Sequence, residues 1–571
     1  MNRQSIPVRP QPSSMESMDK ALSELDSHKQ EWVDLSIDKR IALLEQVKRD
    51  FPKVWDRWTR WSVAAKGVAE RKLGNDMEWL ELAVIARIHH VVHRSLCDIR
   101  DHGKPRIPGP VKMRSDGRVS VQVYPDYRLH GMLFRRTTSE VWMEQGLKID
   151  EVLSKQASAY NERNRMGRVA LVLGAGNASS LPPSDTFYKL INDLRVVALK
   201  MNPINSYLGP LLEEAYRSLI EKGYLRILYG GVVEGSYLVR HPIVEECHMT
   251  GSDRTYDAIL FGTGDEGAQR KKRRERLVTK SFTGELGCIT PWVVVPGPWK
   301  TKDVKMAAER MAFWMVRHEG YLCFAPRVLV LQRGWEHRRT FLDVLAGALE
   351  KVEPIRAYYS GSAELQKTFV THHPEAREIG ADDKDHVPWT IIEGVDHRTT
   401  NDICFRRESF SGLCAETSIP AKNPTEFLDK AVKFLNGTVW GNLSVTLVAN
   451  KKILNDPEIG LAVEKAIADL RYGTVGINGP GTWGFYTMIA PWGAYPRNEV
   501  FDIQSGIGKV ANFLLLPKVE KTVMRAPLET KPYPFRVDAK NLDVFSGKLT
   551  HFEANPSFGR HLGLVFTALR M

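Results

Sequence analysis

The sequence predicts an α/β protein of two doubly wound units joined to a small β arm, and three patterns carry that prediction. The first is strand, helix, strand from Val169 onwards. Val169-Ala170-Leu171-Val172-Leu173 reads as a buried strand, Ser184 can cap a helix carrying Phe187, Leu190, Ile191 and Leu194, and Val196 to Leu199 follows as the next strand. Such alternation implies a parallel sheet with helical crossovers. The second is its recurrence after Glu285, where Trp292-Val293-Val294-Val295 runs into Pro296-Gly297-Pro298 and opens another α/β unit that continues to about Tyr472. The third is a period-two stretch between Arg106 and Arg135. Its apolar positions Val119, Val121, Val123 and Tyr127 follow a Ser115-Asp116-Gly117 turn and predict an edge hairpin.

The remaining elements fall in order around these. Residues 1–18 hold Pro7, Pro10, Pro12, Ser13 and Ser14 and no apolar core segment, which reads as a disordered leader and not a secretory signal. From Met18 to about Arg100 the period is helical, as in Ile41, Leu43, Leu44 and Val47 and again in Trp79, Leu80, Leu82, Ala83, Ile85 and Ala86. The first α/β unit then spans 19–285, carries the hairpin at about 106–135, and is expected to be completed by the chain returning through Gly473 to Ile477 and on to about 510. The second spans 286–472. Within it Val304, Ala307, Ala308, Met311, Ala312, Met315 and Val316 lie at helical spacing, Gly320 reads as a left-handed C-cap, and Val328 to Leu331 reads as a buried strand. Residues 511–571 form a C-terminal arm and tail. The part beyond Arg525 matches no recognisable pattern.

Composition is that of a large globular protein. At 571 residues and 43% hydrophobic the chain can bury two substantial cores. It has no run of about 18 uncharged apolar residues, so no membrane span is expected. The cysteines Cys97, Cys247, Cys288, Cys323, Cys404 and Cys414 show neither zinc pairs nor a disulfide framework; no metal site is expected, and a reducing, cytoplasmic setting follows. Net charge is +12, and Arg270-Lys271-Lys272-Arg273-Arg274-Glu275-Arg276 concentrates part of it. No aromatic residue interleaves that run, so it reads as a solvated helix face and not as a nucleic-acid interface.

Chemistry gathers at a few junctions. Cys323 sits where a helix has ended and a strand is about to begin, in His318-Glu319-Gly320-Tyr321-Leu322-Cys323. Free cysteine is often plain core filler, so its reading depends on partners. Glu285, in Thr283-Gly284-Glu285-Leu286-Gly287-Cys288, lies between two glycines at a strand entrance and is placed to project into a cleft. Asn177 follows the Gly174-Ala175-Gly176 turn at the end of a strand, where α/β folds meet ligands, and its amide is a neutral donor for an oxyanion. Lys200 ends the next strand. The Thr250-Gly251-Ser252 turn could leave backbone amides facing a phosphate, and Glu408 and Phe410 complete the set.

In this order and at these separations the residues resemble the aldehyde dehydrogenase superfamily. Asn177 and Lys200 repeat the family's interval between its Asn and Lys motifs, Glu285-Leu286-Gly287 matches E-L-G, Gly320 to Cys323 matches the G-x-x-C nucleophile motif, and Glu408 to Phe410 matches E-x-F. Gly473-Thr474-Val475 with Asn478, and Ala490-Pro491-Trp492-Gly493 in place of P-F-G, extend the likeness over roughly 32–523. The resemblance implies a Rossmann-like cofactor domain, a catalytic domain and a small β oligomerisation arm through which subunits pair as a homo-oligomer. It implies an NAD- or NADP-dependent oxidation of an aldehyde. Cys323 would be the nucleophile, Asn177 part of the oxyanion hole and Glu285 the base for thioester hydrolysis. Lys200 would hold the adenine ribose, Gly251 and Ser252 the pyrophosphate, and Glu408 the nicotinamide ribose, with Phe410 beside it.

The departures are as specific as the matches. Lys200-Met201-Asn202-Pro203 stands where many members have K-P-S-E, so the acid that binds adenine ribose hydroxyls and repels a 2′-phosphate is missing, and both NAD and NADP stay open. Cys288 replaces the second glycine of E-L-G-G, Gly176 the usual tryptophan and Tyr321 the usual glutamine. Gly262, Gly264 and Gly267 satisfy G-x-G-x-x-G after the short apolar run Ala258 to Leu260, and read either as a tight turn or as an altered phosphate cradle. Two rivals to aldehyde oxidation stand beside it: a CoA-acylating relative, and a non-catalytic scaffold that binds polyanions. Trp314, Phe324 and Trp483 could line a hydrophobic tunnel or simply pack.

Overall fold

The computed structural model describes residues 7–162, 164–380, 386–529 and 535–571. Strands β1 (Val111–Met113), β2 (Val119–Tyr124) and β3 (Thr138–Met143) form the arm, and β4 (Val169–Leu173), β5 (Val196–Lys200), β6 (Leu225–Leu228), β7 (Glu246–Gly251) and β8 (Ser281–Leu286) the first domain. Strands β9 (Thr290–Val294) and β10 (Pro326–Gln332) start the second. In the first domain β8, β7, β4, β5 and β6 lie side by side in that order, all parallel, and residues Gly506–Ile507 add an antiparallel edge beside β8. Chain order therefore reverses between β4 and β7. That crevice, at the carboxyl ends of the strands, is where open α/β sheets bind ligands.

The strand-helix-strand reading from Val169 holds, with one shift. The first helix of the unit starts at Leu181, with Pro182 and Pro183 in its first turn, so Ser184 lies inside it and Ser180 at the N-cap position. Proline is tolerated there because the first-turn N–H groups have no intrahelical partner. The leader also differs from its expected extent. Ser14 caps a helix at Met15–Asp34, its hydroxyl accepting from the Ser17 N–H, and Ser13 pairs through its backbone N–H with the Tyr229 carbonyl. Helix Gly74–His102 carries an apolar face of Leu82, Ile85, Ile88, Val92 and Leu96, all fully buried.

The second sheet has eleven strands. Its order is β1, β2, β3, then Val519–Arg525, Thr474–Ile477, Ser444–Val448, β9, β10, Leu413–Ile419, Trp389–Ile392 and Arg377–Ile379. One expectation is corrected here. The strand Thr474–Ile477, expected to finish the first domain, pairs in parallel with Ser444–Val448 in the second, and the return to the first sheet comes only at Gly506–Ile507. The arm strands continue the second sheet: Val519–Arg525 lies antiparallel to β3 and parallel to Thr474–Ile477, and β1 forms the outer edge. Val119, Val121, Val123 and Trp142 are wholly buried, which fixes the register, because a one-residue slip would turn them outward. The segment beyond Arg525 forms two helices, Leu542–Ala554 and Phe558–Ala568, the first packed along helix Gly74–His102.

Candidate active site

Helix Thr301–Val316 ends in an unusual way. His318, Glu319 and Gly320 all have positive φ, at 49°, 58° and 80°, so a left-handed run and not a single glycine cap joins the helix to the cysteine. Such a run is unfavourable for L-residues and survives only where surrounding contacts over-determine it. Those contacts are ionic and buried. Arg317 pairs with Asp76, His318 Nε2 lies 3.1 Å from Glu81, and Glu319 accepts from Arg71 at 2.6 Å and from the Arg356 N–H at 2.7 Å. Asp76 and Glu81 are thus buried acids of helix Gly74–His102, beside a third, Glu78, which pairs with the buried Lys66. Gly320 is required for space as well. A β-carbon there would lie 2.6 Å from the Gly412 backbone nitrogen, and the Arg327 guanidinium bridges the same two segments through the Gly320 and Ser411 carbonyls.

The run delivers Cys323 to the crevice. Its Sγ donates toward Glu285 Oε1 at 3.4 Å, and the same oxygen accepts from the Trp492 indole N–H at 3.0 Å. Glu285 lies at the carboxyl end of β8, one strand earlier than its expected place at a strand entrance, and is 3% exposed. Burial pushes its carboxyl up to about 8, against the pull of the Trp492 and Cys323 hydrogen bonds, while Asp185 and Glu408 add like charge. Burial likewise holds the Cys323 thiol well above its ordinary range, reinforced by Glu285, Glu408 and Cys288. Burial thus disfavours charge on both partners, which lie one hydrogen bond apart. Asn177 reaches the same place from the end of β4, and its amide donates to the Tyr321 carbonyl at 2.9 Å, tying the oxyanion candidate to the nucleophile loop.

A cleft of about 560 Å³ runs from this pair across the reversal point between β4 and β7. It is lined by Asn177, Lys200, Gly251, Ser252, Glu408 and Phe410, so every residue singled out in the sequence meets in one cavity with Cys323 and Glu285. Ser252 caps helix Asp253–Phe261 through the Thr255 N–H at 3.1 Å, which turns that helix's N-terminus to the cleft. Lys200 is brought down to about 8 by burial, with Glu234 opposing the shift. Glu234 is tied to the Gly231 N–H at 2.7 Å, so an acid lies near Lys200 although the usual sequence position lacks one. Glu408, raised to about 7 by burial, has one carboxylate oxygen buried and unpartnered. A buried acceptor without a donor fits a ribose hydroxyl. Phe410 stands edge-on to Tyr359 at 5.0 Å.

Several residues in and behind the cleft escape the sequence reading. Trp492 was seen only as a turn substitute, and Asp185 not at all, although it accepts from Thr250 Oγ1 at 2.8 Å behind Glu285. Gly231 and Val232 line the cleft after β6; the signal that could have found them is the Gly230-Gly231 pair between a strand and a helix. The G-x-G-x-x-G match does not contribute. Ala258 to Leu260 lie in helix Asp253–Phe261, and the glycines lead into a second helix, Gly264–Lys272, so the turn joins two helices and not a strand to a helix. The basic run continues from that helix, with Arg270 paired to Glu266 and Arg274 to Glu499. Although no metal-ligand pattern was expected, His373, Asp402 and Cys404 come together within 4.8 Å, hydrogen-bonded among themselves through His373 Nε2 and Asp402 at 3.2 Å.

The architecture and the residues meeting in the cleft can be set beside known proteins. A Staphylococcus haemolyticus protein described as an aldehyde dehydrogenase is 24% identical over 409 residues, covering 65% of this chain and 79% of its own. The NADP-complexed glyceraldehyde-3-phosphate dehydrogenase of Methanocaldococcus jannaschii superposes with a TM-score of 0.59 at 15% identity, over 92% of this chain and 99% of that one. The chain has the fold of solved aldehyde dehydrogenases. The NAD-dependent aldehyde dehydrogenase of Sinorhizobium meliloti gives a TM-score of 0.58 at 17% identity, over 91% of this chain and 89% of its own. No family profile matches the sequence.

Proposed function

We propose that the chain oxidises an aldehyde to a carboxylic acid, with NAD or NADP, through a thioester on Cys323. The observation that carries this is the Cys323–Glu285 pair, 3.4 Å apart at the mouth of the reversal-point cleft. Glu285 takes the thiol proton, and the sulfur adds to the aldehyde carbonyl, since the thiolate is the nucleophile. The oxyanion is held by the Asn177 side-chain amide and the Cys323 backbone N–H; losing one such donor costs about 10²–10³ in rate. The dinucleotide would lie over Gly251 and Ser252, with Lys200 at the adenine ribose and Glu408 at the nicotinamide ribose. When bound, its nicotinamide supplies the hydride acceptor. Once Glu285 has released the thiol proton to solvent, it withdraws a proton from water as that water attacks the thioester; the acid leaves, and that proton returns to the expelled sulfur, restoring Cys323.

A base buried beside the thioester favours water over CoA as the acyl acceptor, because transfer to CoA needs no activated water. The convergence of Asn177, Glu285 and Cys323 argues against a scaffold that has lost chemistry. Assembly into a homo-oligomer through the arm would use its outer edge, β1, which pairs on one side only. Steady-state assays with short, long and aromatic aldehydes, each with NAD and with NADP, and with and without CoA, test the reading. Carboxylic acid formation independent of CoA is expected. An acyl-CoA product would move the assignment to the CoA-acylating class, and no cofactor reduction with any aldehyde would refute it.

A further inference from the structure

The helix Phe558–Ala568 has two apolar faces. Inward it buries His561, Leu564, Thr567 and Ala568. Outward it and the residue after it show Phe558, Leu562, Phe566 and Leu569, which are 60%, 40%, 62% and 64% exposed. Their spacing of four, four and three residues makes one stripe along the helix. Among the described residues, Phe558 and Phe566 are the two exposed phenylalanines, so this is not the ordinary scatter of single apolar side chains over a surface. Met132, 51% exposed on the short helix Arg128–Leu133 that packs against it, enlarges the patch.

The charge around the stripe is one-sided. Arg560 and Arg570 flank it, and Arg128, Arg135 and Arg136 are exposed on and just after the neighbouring helix. None of these five arginines makes an ion pair among the described residues; Arg560 donates only to the His551 and Asn555 carbonyls. The nearby acids are spent internally. Asp126 is paired with Arg87 and Arg94, and Glu553 with His130 and Arg87, which leaves Asp543 as the exposed acid of helix Leu542–Ala554.

We propose that this face docks on an anionic phospholipid surface, with Phe558, Leu562, Phe566 and Leu569 entering the headgroup boundary and the five arginines meeting lipid phosphates. Apolar side chains at helical spacing within a basic, acid-poor rim are the chemistry of a helix lying in a membrane interface. A second copy of the chain fits less well. A two-fold contact places the same patch on both sides, and would set one ring of unpaired arginines against another.

The test is co-sedimentation of the full chain with phosphatidylcholine vesicles, and with vesicles in which phosphatidylserine replaces part of the phosphatidylcholine. The double variant Leu562→Asp/Phe566→Asp and the variant Arg136→Glu/Arg570→Glu are compared with the parent. All these side chains face solvent, so thermal unfolding should be unchanged. The parent should bind the anionic vesicles at least tenfold better than the neutral ones, less at high salt because surface charge is screened, and both variants should lose that binding. Absence of vesicle binding by the parent, or binding untouched in the variants, overturns the proposal. So does sedimentation velocity showing a dimer that the same substitutions dissolve, which would assign the face to a second copy.

Discussion

Replacing Trp492 by phenylalanine removes one hydrogen bond and little else. The indole is 2% exposed and lies edge-on to Phe324 at 6.4 Å and against Phe485 at 5.9 Å, contacts that a phenyl ring can largely keep. What goes is the N–H that reaches Glu285 Oε1 at 3.0 Å. That bond favours the ionised carboxylate, so its loss must raise the Glu285 pKa further above the value of about 8 that burial already imposes. A hydrogen bond to a charged group is worth about 1.5–3 kcal/mol, and about 1.4 kcal/mol is one pKa unit, so the shift should be about 1–2 units upward. Near pH 7 the ionised fraction of the base, and with it the rate, should then fall by about 10- to 100-fold, and recover as pH is raised. The assay is the pH profile of kcat for aldehyde oxidation, parent beside Trp492→Phe. The parent's rate should climb through the region around pH 8; the variant's limb should lie to the alkaline side with KM little changed. An unmoved limb would refute the idea that the indole sets the basicity of Glu285.

The other predictions follow from the same geometry. Asn177→Ala should lower kcat by about 10²–10³ with a smaller effect on cofactor affinity, as judged by steady-state kinetics, because an oxyanion donor acts mainly in the transition state. Glu408→Ala should raise the KM for NAD and NADP several-fold while the Cys323 thiol still reacts with an aldehyde-independent alkylating agent; an unchanged KM would remove Glu408 from the cofactor site. Gly320→Ala should destabilise the fold by about 1–3 kcal/mol, read from denaturant unfolding, since the residue has φ of 80° and its new β-carbon meets the 411–412 backbone.

Local signals were legible where they did not depend on distant pairing. The strand Val169–Leu173 and the helix ending at Val316 follow from apolar spacing alone, and the motif residues Asn177, Glu285, Cys323 and Glu408 meet in one cleft because chain order reverses between β4 and β7 there. Partners across the chain were not legible. Whether Thr474–Ile477 joins the first sheet or the second is decided by which edge it meets, and an apolar strand reads the same in either. The arm's use within its own chain is hidden for the same reason: Val519–Arg525 has the pattern of a strand whether it pairs in cis or in trans. Asp76 and Glu81 interrupt an apolar helix, and only the fold shows that Arg317 and His318 answer them. The Trp492 indole could not be assigned to Glu285 from a sequence distance of more than two hundred residues.

The thioester is the central claim, and its most direct test isolates it. Glu285→Gln keeps the shape of the base and removes its ability to activate water. Because the variant also lacks the acceptor of the thiol proton, it is mixed with an aldehyde and NAD or NADP at alkaline pH, where hydroxide can take that proton, and followed by intact-protein mass spectrometry beside Cys323→Ala. The account predicts one reduced nicotinamide per chain, a mass gain of one acyl group in place of one hydrogen, and localisation of that group to Cys323, with no gain in Cys323→Ala. Cofactor reduction without an acylated cysteine, or acylation that persists in Cys323→Ala, would contradict it.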